Sequence, residues 1–284
     1  MSTSFIIATI GRETLRSTLR HIIHADNYSD ILPEVVVVLD ADNEVGESVF
    51  HDAQQEFSSH KNIKFLESRG DRGGARNKAI DASTGGVLVF LGDDIYIQKD
   101  YLARLNAWHK THPGKNHALL GYTPWTKELM GDSFHQWLLD SVQFDYKNLN
   151  KGDVPDYRHF YTSNVSVKRE LLGDERFSDA FTGWGFEDSE LGRRLQKCGM
   201  TLHYERDLVA EHDHKQNYQS FISRTKESRI NAQILEKLHP ELRIAPRGVR
   251  KILLIIAIIV ATILSPLSQK IRWWRDWKAA WLCG

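Results

Sequence analysis

The chain has 284 residues, enough for one large domain or two small ones, and 41% are hydrophobic, which supports a buried core and excludes a disordered chain. Lys plus Arg and Asp plus Glu each number 37, so no net charge favours nucleic acid as a partner. Cys198 and Cys283 follow neither a metal nor a disulfide spacing, which is typical of a reducing compartment. The N-terminal segment lacks a basic leader and a cleavage site, so the bulk of the protein is expected in the cytosol.

Short apolar runs of strand length alternate with helical stripes in the first part of the chain. The runs cover residues 4–10, 34–40, 62–68, 86–92 and 117–123. One helical stripe extends from Leu15 to Ile23 and another from Tyr101 to Trp108. This alternation predicts an α/β fold with a mostly parallel central sheet and helices on both faces. In such sheets ligands bind outside the carboxyl ends of the strands.

The pattern loosens into aromatic-rich segments between residues 124 and 215. We expect a strand at 160–167, a helix beginning near Ser189 and a short strand before His212. A helical stripe follows from Phe221 and is stopped by Pro240. The sequence therefore predicts one domain over 1–215, a helical extension over 216–246 and a separate segment over 247–284.

The last segment contains sixteen consecutive residues, 252–267, that are almost entirely apolar. As a helix they would extend about 24 Å, which is less than the roughly 30 Å hydrocarbon core of a bilayer. Cations precede the run, and cations with four tryptophans follow it in the segment WWRDWKAAW, which suits a membrane interface. Membrane association through residues 249–282 is preferred over a buried core helix, whether the segment spans the bilayer, dips into it or lies flat.

Two adjacent acids, Asp93 and Asp94, end the fourth predicted strand. Paired carboxylates repel each other unless water or a cation reaches them, so a solvated turn and a cation site are both open. Asp40 and Asp42 end a neighbouring strand and would lie on the same edge of the sheet, which favours the cation. Oxygen ligands of this kind suit Mg²⁺ or Mn²⁺.

A glycine-rich loop with three arginines precedes the helix that begins in ESRGDRGGARNKAI, residues 67–80. Free backbone N–H groups and the positive end of the helix dipole would favour a phosphate there. The glycines stand at 70, 73 and 74, a spacing that matches neither the dinucleotide fingerprint nor a P-loop. A glycine-rich helix start with exposed arginines is the alternative.

Trp184 stands between two glycines in FTGWGFEDSELGRRLQKCG, residues 181–199, and Glu187 and Asp188 follow just before a predicted helix. The helix dipole explains one of the acids but not the tryptophan. A stacking surface beside a carboxylate suits sugar binding with general-base catalysis. Farther on, either His212 or His214 could complete a metal site, although an HxH pair on the surface is the alternative.

Seven segments, in order, resemble the inverting family 2 glycosyltransferases with the GT-A fold over roughly residues 4–214. They are TIGR, VVVVLDAD, GGARNKAI, VFLGDDI, TSNVSVKRELL, GWGFEDSELGRRL and VAEH. The segment GWGFEDSEL is also similar to a motif of β-1,4-galactosyltransferases. The resemblance implies a Rossmann-like GT-A catalytic domain over 1–215, with its nucleotide-binding half at about 1–123 and its acceptor side at about 124–215.

The resemblance also implies roles for residues on the donor side. Thr9, Arg12 and Asp40 would line the nucleotide base pocket, with Arg76 and Asn77 nearby.

The GDD segment takes the place of the family's DxD motif, with Gly92 where many relatives have the first acid. Asp94 and His212 would hold a divalent metal, Mn²⁺ or Mg²⁺, and Asp93 would contact the metal or the ribose. On the acceptor side, Asp188 matches the catalytic base and Glu187 its acceptor-binding neighbour, with Trp184 in the same motif.

The expected function is transfer of a sugar, with inversion, from a nucleotide-diphosphate donor to a hydroxyl of a glycan or lipid-linked acceptor. A UDP-sugar is the expected donor class, and the catalytic domain would face the cytoplasm at a membrane where surface polysaccharide is assembled. Two alternatives are a nucleotidyltransferase, which gives Trp184 and Asp188 no role, and a decayed transferase fold that only binds sugar.

Overall fold

The computed structural model describes residues 2–26, 32–40, 44–69, 72–141 and 144–283, so Asp42 and Gly70, named above, lie outside the described residues. Two compact units make up the chain. The first comprises Met1–Asp179 and Asp188–His214, and the second comprises Ala180–Glu187 and Lys215–Gly284.

Strands and helices alternate through the first unit, and helices dominate the second. The strands are β1 (Thr3–Thr9), β2 (Glu34–Asp40), β3 (Ile63–Ser68), β4 (Val87–Gly92), β5 (Ile95–Ile97), β6 (His117–Tyr122), β7 (Asn164–Lys168) and β8 (Thr201–His212). The helices are α1 (Thr14–Ile23), α2 (Glu44–Glu56), α3 (Arg72–Ala82), α4 (Tyr101–Thr111), α5 (Lys127–Met130), α6 (Ser133–Ser141), α7 (Arg169–Leu172), α8 (Glu187–Lys197), α9 (Tyr218–Leu238), α10 (Gly248–Leu264) and α11 (Gln269–Cys283).

The strands of the first unit form one sheet in the order β3-β2-β1-β4-β7-β6-β8-β5. The first four of these strands are parallel, and β6 is parallel to β8. The other pairings, β4 with β7, β6 with β7 and β5 with β8, are antiparallel. The sheet is therefore more mixed than predicted, because β5 and β7 run against their neighbours.

Apolar residues on both faces of the sheet explain why β1, β2 and β4 are continuous hydrophobic runs. Phe5 and Ile7 of β1 pack against residues of α1, α2 and α4, whereas Ile6 packs on the opposite face against residues of α3 and α8. The prediction of an α/β fold with helices on both faces is confirmed.

Because β1, β2 and β4 are parallel, their carboxyl ends meet at one edge of the sheet. The register pairs Ala8 with Gly92 and Thr9 with Leu39, which places the residues after these strands side by side. The strand expected at 160–167 instead covers Asn164–Lys168, and β8 is a twelve-residue strand rather than a short one. Its length brings His212 to the end of β8, beside β5, where Ile95 pairs with His212.

The second unit contains α9, α10 and α11 together with the segment Ala180–Glu187. Asn217 caps α9 by accepting a hydrogen bond from the backbone N–H of Ser220 at 2.8 Å. Asn231 of α9 donates its side-chain N–H groups to the carbonyls of Thr182 and Gly185 at 2.9 and 3.0 Å. These bonds hold the segment that carries Trp184 against α9.

The helix α10 is long and apolar, and nearly all of its side chains are exposed. A single helical stretch, Gly248–Leu267, has the length and apolar composition to cross a membrane among the residues that the structure describes. Unlike the core helix of a soluble protein, α10 has one buried residue, Ala261.

Candidate functional site

Asp93 and Asp94 form the turn between β4 and β5, at the edge where the parallel strands end. Both are buried, with 4% and 5% of their surface exposed. The solvated turn is therefore excluded as an explanation of the pair, because water does not surround these carboxylates. Two buried acids in sequence require a positive partner.

Arg12 supplies that positive partner. Its Nη1 atom lies 2.8 Å from Oδ1 of Asp93 and 2.5 Å from Oδ2 of Asp94, so one guanidinium nitrogen bridges the two acids. Gly11 has φ of +75°, and a Cβ atom there would collide with the backbone of Gly46. The TIGR segment therefore needs glycine at this position to turn Arg12 back over the sheet edge.

Thr9 and Thr18 fix Asp93 from the protein side. The hydroxyl of Thr9 donates to Oδ2 of Asp93 at 2.6 Å and accepts from the backbone N–H of Gly11 at 2.9 Å. The hydroxyl of Thr18, in α1, donates to the carbonyl of Asp93 at 2.9 Å. Asp93 is thus held by side chains of β1 and α1, both of which lie more than seventy residues before it in the sequence.

The two acids differ in how their charge is supported. Burial raises the pKa of Asp93 above its ordinary value, and Arg12 only partly opposes that rise. Burial would also raise the pKa of Asp94, but His212, Arg12 and His214 together hold the pKa of that carboxyl below its ordinary value. Asp94 is therefore the acid whose surroundings most strongly favour the charged form.

Two histidines approach the same oxygen of Asp94. Nε2 of His212 lies 3.4 Å from Oδ2 of Asp94, and Nδ1 of His214 lies 3.5 Å from it. The ring of His212 is stacked on Trp125, with ring centroids 4.6 Å apart and an interplanar angle of 13°. The backbone N–H of Asp213 donates to the carbonyl of Asp94 at 2.8 Å, which fixes the HxH segment beside the turn.

These donors suit a divalent metal whose remaining ligands come from the substrate. Asp94 would supply an oxygen ligand to such an ion, and His212 or His214, which approach the same carboxylate oxygen, would supply a nitrogen ligand. Among the described residues, no group of three or more His, Cys, Asp or Glu side chains forms a metal cage. One or two protein ligands completed by a diphosphate is the usual arrangement for Mg²⁺ and the related Mn²⁺.

The other predicted donor-side residues lie on β2 and α3. Asp40 ends β2 at the same edge of the sheet as Thr9. Arg76 of α3 lies over the ring of Phe177, 5.3 Å from its centroid. Asn77 donates to the carbonyl of Phe177 at 2.9 Å and accepts from its N–H at 2.8 Å. These contacts give Arg76 and Asn77 a role in fixing the segment around Phe177, and their place near a nucleotide stays a prediction.

The acceptor-side residues stand at the start of α8 and before it. Oδ1 of Asp188 accepts from the N–H of Ser189 at 2.7 Å, so the carboxylate sits at the positive end of the helix. Glu187 and Trp184 belong to the second unit, whereas Asp188 is the first residue of the segment Asp188–His214, which belongs to the first unit. Gly183, Gly185 and Phe186 all have positive φ, of +73°, +97° and +75°, which explains the glycines on both sides of Trp184.

Sequence reasoning did not anticipate that Arg12 bridges the two acids or that both histidines face Asp94. No local pattern could reveal the first contact, because 82 positions separate Arg12 from Asp94. The HxH spacing was the available sequence signal for the approach of the two histidines to Asp94. The alternative of a surface pair is wrong, because His212 is buried and His214 faces Asp94. The hydrogen bond from Tyr96 to Asp213, at 2.8 Å, was also missed.

Comparison with known proteins finds similar domains in two parts of the chain. Residues 4–123 match the family model of glycosyl transferase family 2, and residues 175–221 match that of the N-terminal domain of galactosyltransferase. A curated relative, the uncharacterized glycosyltransferase YfnE of Bacillus subtilis (strain 168), is 36% identical over 85 residues. That match covers 29% of this chain and 22% of YfnE, so the chain spans only about a fifth of that relative's length.

Solved structures share the fold at low sequence identity. The mannosyltransferase PcManGT from Pyrobaculum calidifontis, in complex with GDP-Man and Mn²⁺, superposes with a TM-score of 0.63 at 18% identity, covering 99% of this chain and 84% of that one. TarS of S. aureus superposes with a TM-score of 0.58 at 16% identity, covering 93% of this chain and 44% of that one.

The sheet and its flanking helices define the GT-A class of fold. Residues 4–123 accordingly form a domain similar to glycosyl transferase family 2, and residues 175–221 form a region similar to the N-terminal domain of galactosyltransferase.

Proposed function

We propose that this protein is an inverting glycosyltransferase that moves a sugar from a nucleotide-diphosphate donor to a hydroxyl of a glycan or lipid-linked acceptor. A UDP-sugar is the donor class tested first. The observation that carries the proposal is the pair Asp93–Asp94 at the end of β4, buried and bridged by Arg12, with His212 and His214 beside Asp94. A buried anionic pair facing cationic groups suits a diphosphate bound through a cation.

On the donor side, the chain supplies an edge of the sheet that is lined by hydrogen-bonding groups. Thr9, Arg12 and Asp40 are proposed to line the nucleotide base pocket, with Arg76 and Asn77 near the phosphates. Mn²⁺ or Mg²⁺ bound by Asp94 and His212 would stabilise the negative charge of the departing diphosphate. Arg12, which bridges both acids, keeps them together when the site is empty of substrate.

On the acceptor side, Asp188 is proposed to act as the general base. Its carboxylate would take the proton of the acceptor hydroxyl while that oxygen forms a bond to the anomeric carbon. The bond from the anomeric carbon to the diphosphate breaks on the opposite face, and its electron pair leaves with the phosphate oxygen. Configuration inverts because attack and departure occur on opposite faces. Trp184 and Glu187 would bind the acceptor sugar through stacking and hydrogen bonding.

The acceptor and the location of the reaction are inferred from the C-terminal helices. An exposed apolar α10 beside cationic and tryptophan-rich α11 favours association with a membrane, with the catalytic unit on its cytoplasmic side. A lipid-linked or membrane-proximal glycan, such as an intermediate of surface polysaccharide assembly, would be the acceptor.

The test is release of nucleoside diphosphate from a panel of UDP-, GDP- and dTDP-sugars, with Mn²⁺, Mg²⁺ or a chelator. Wild type is compared with Asp94→Ala, Asp188→Asn and the control Asp207→Asn, an exposed acid that pairs with Lys151 at 2.6 Å. We expect one nucleotide sugar to be cleaved in a metal-dependent way by wild type and by the control. Release of pyrophosphate would instead indicate a nucleotidyltransferase, and absence of metal-dependent donor binding would indicate a decayed site.

A further inference from the structure

We propose that α10 docks the protein onto an anionic lipid bilayer from one side and does not cross it. This inference concerns the second unit alone, and it stands or falls independently of the proposed catalytic function.

The exposed face of α10 is the first observation. Ile252, Ile256 and Ile263 are 58%, 51% and 72% exposed, and most of the other large apolar side chains of this helix are exposed as well. Single exposed apolar residues are ordinary on protein surfaces, but a continuous set along a seventeen-residue helix is not. Such a face is stable only when something apolar covers it.

Both ends of α10 are tied to parts of the second unit that are polar. Near the start, Glu236 of α9 accepts from the N–H of Ala245 at 3.2 Å and pairs with Arg247 at 3.3 Å. Near the end, Nη1 of Arg275, in α11, donates to the hydroxyl of Ser265 at 3.0 Å. The chain therefore leaves α9, runs the length of α10 and turns directly into α11.

The helix α11 then packs against α9. The hydroxyl of Tyr218, at the start of α9, bonds to Asp276, and Nη1 of Arg229, near its middle, donates to the carbonyl of Trp281 at 2.5 Å. If α10 crossed a bilayer, α11 would emerge on the opposite side from α9 and could not make these contacts. Both α9 and α11 carry several charged residues, so neither suits the hydrocarbon core. All three helices must therefore lie on the same side of the membrane.

The charges around α10 identify its partner as an anionic surface. Residues 243–275 contain seven Lys or Arg and no Asp or Glu, although the whole chain is neutral. Arg247, Arg250 and Lys251 before the apolar run and Lys270 after it are exposed. Anionic headgroups attract such flanks, and the tryptophans of α11 suit the boundary between headgroup and acyl chain. Two copies of this segment would repel each other, which argues against a second protein chain as the cover.

The first experiment measures binding of the full chain to preformed vesicles by flotation. The vesicles are of phosphatidylcholine alone or with phosphatidylglycerol. We expect the wild type to float with the anionic vesicles and only weakly with the neutral ones. The double variant Ile256→Asp, Ile263→Asp should bind at least about 10-fold more weakly than wild type, because it places charge in the apolar face. The control is Ile230→Asp, an exposed isoleucine of α9 that is 55% exposed, which should bind as wild type does.

The second experiment decides between docking and spanning. Both native cysteines are first removed by Cys198→Ser and Cys283→Ser. Two variants are then made, each with one new cysteine: Lys237→Cys before α10 and Lys270→Cys after it. The full chain is expressed in a bacterial host, and an impermeant maleimide is added to right-side-out and inverted membrane vesicles. One-sided docking predicts that both cysteines are labelled from the same side of the membrane. Labelling of the two cysteines from opposite sides of the membrane would overturn the proposal. It would also be overturned if the wild type failed to float with vesicles and instead self-associated in sedimentation experiments. Donor cleavage by the same preparations reports separately on the catalytic function.

Discussion

Nη1 of Arg12 lies 2.5 Å from Oδ2 of Asp94, the same oxygen that His212 and His214 approach at 3.4 and 3.5 Å. A cation of the protein therefore occupies the position beside Asp94 that a divalent metal is proposed to take. Because two cations cannot share one carboxylate oxygen at short range without repulsion, metal binding at Asp94 should weaken its contact with Arg12.

This relationship predicts the behaviour of Arg12→Met. The substitution leaves two buried acids without their bridge, so the free energy of unfolding should fall by about 3–5 kcal/mol at neutral pH. Mn²⁺ should restore more stability to the variant than it adds to wild type, because it supplies the missing positive charge. Urea denaturation with and without Mn²⁺ measures both effects.

The matched control for Arg12→Met is Arg16→Met, which removes an exposed pair with Glu56 and should cost no more than about 1 kcal/mol. Equal stabilisation of wild type and Arg12→Met by Mn²⁺ would show that the metal does not replace the charge of Arg12.

His212 and His214 should differ in their effect on metal dependence. His212 is buried, stacked on Trp125 and fixed by the pairing of β5 with β8, whereas His214 stands beyond the end of that strand. We expect His212→Gln to raise the Mn²⁺ concentration needed for half-maximal donor cleavage by about 10-fold or more, and His214→Gln to raise it less. A Mn²⁺ titration of the reaction compares them, with the exposed His51→Gln as control. An unchanged titration in both variants would remove the histidines from the metal site.

Asp188→Asn should separate chemistry from donor binding. The amide keeps the size of the side chain and its bond from the N–H of Ser189, but it cannot accept the acceptor proton. Turnover should fall by about 10²- to 10⁴-fold. The dissociation constant of the nucleoside diphosphate, measured by calorimetry with Mn²⁺, should stay within about 2-fold of wild type, since the loss falls on the transition state alone. Near wild-type turnover would assign the base to another residue.

The sequence alone predicted the fold of the first unit well, because the relevant signals are local. The run EVVVVLD is β2 to the residue, and the apolar stripe from Leu15 to Ile23 lies within α1. The same periodicity failed at 160–167, where Phe160 and Tyr161 are apolar but precede β7, since a 3-10 turn at Tyr157–His159 occupies the chain there. Aromatic runs favour strands without fixing where they begin.

The site was predictable only as far as sequence order and strand direction allow. Placing Asp40 and Asp93 at one edge required no more than the rule for parallel strands. The bridge from Arg12 depends on a turn whose shape is set by the close approach of Gly11 and Gly46, which no spacing reveals. The packing of the segment around Trp184 on α9 likewise depends on hydrogen bonds from Asn231, which lies 47 positions after Trp184. No sequence pattern marks the side chain of Asn231 as the donor of these bonds.

Asn231→Leu tests whether the segment 180–187 must be held in place. The leucine fills a similar volume but donates to neither Thr182 nor Gly185, so two backbone carbonyls lose their partner. We expect the free energy of unfolding to fall by about 1–3 kcal/mol. Donor cleavage without acceptor should be nearly unchanged, while sugar transfer should lose activity through a higher KM for the acceptor. The control Asn106→Leu removes a bond within α4 only. Equal loss of donor cleavage and transfer would indicate a global defect instead.

The buried His109 should make stability depend on pH. Burial, with Lys168 and His112 nearby, lowers the pKa of His109 to about 3, while its Nε2 atom lies 2.8 Å from the hydroxyl of Ser166. In the unfolded chain the imidazole titrates near about 6.5, so the unfolded state binds more protons below that pH. The contribution of His109 is therefore complete above about pH 6.5 and is lost as the pH falls towards 3, with a slope of at most about 1.4 kcal/mol per pH unit.

Urea denaturation of wild type and His109→Gln between about pH 7 and 5, above the range where most carboxylates titrate, checks this slope. Gln stays neutral throughout and can still bond to Ser166, so the variant should lose less stability on acidification than wild type. His51→Gln, at an exposed position of α2, is the control and should keep the wild-type slope. Parallel curves for wild type and His109→Gln would mean that His109 takes up its proton in the folded protein as readily as in the unfolded chain.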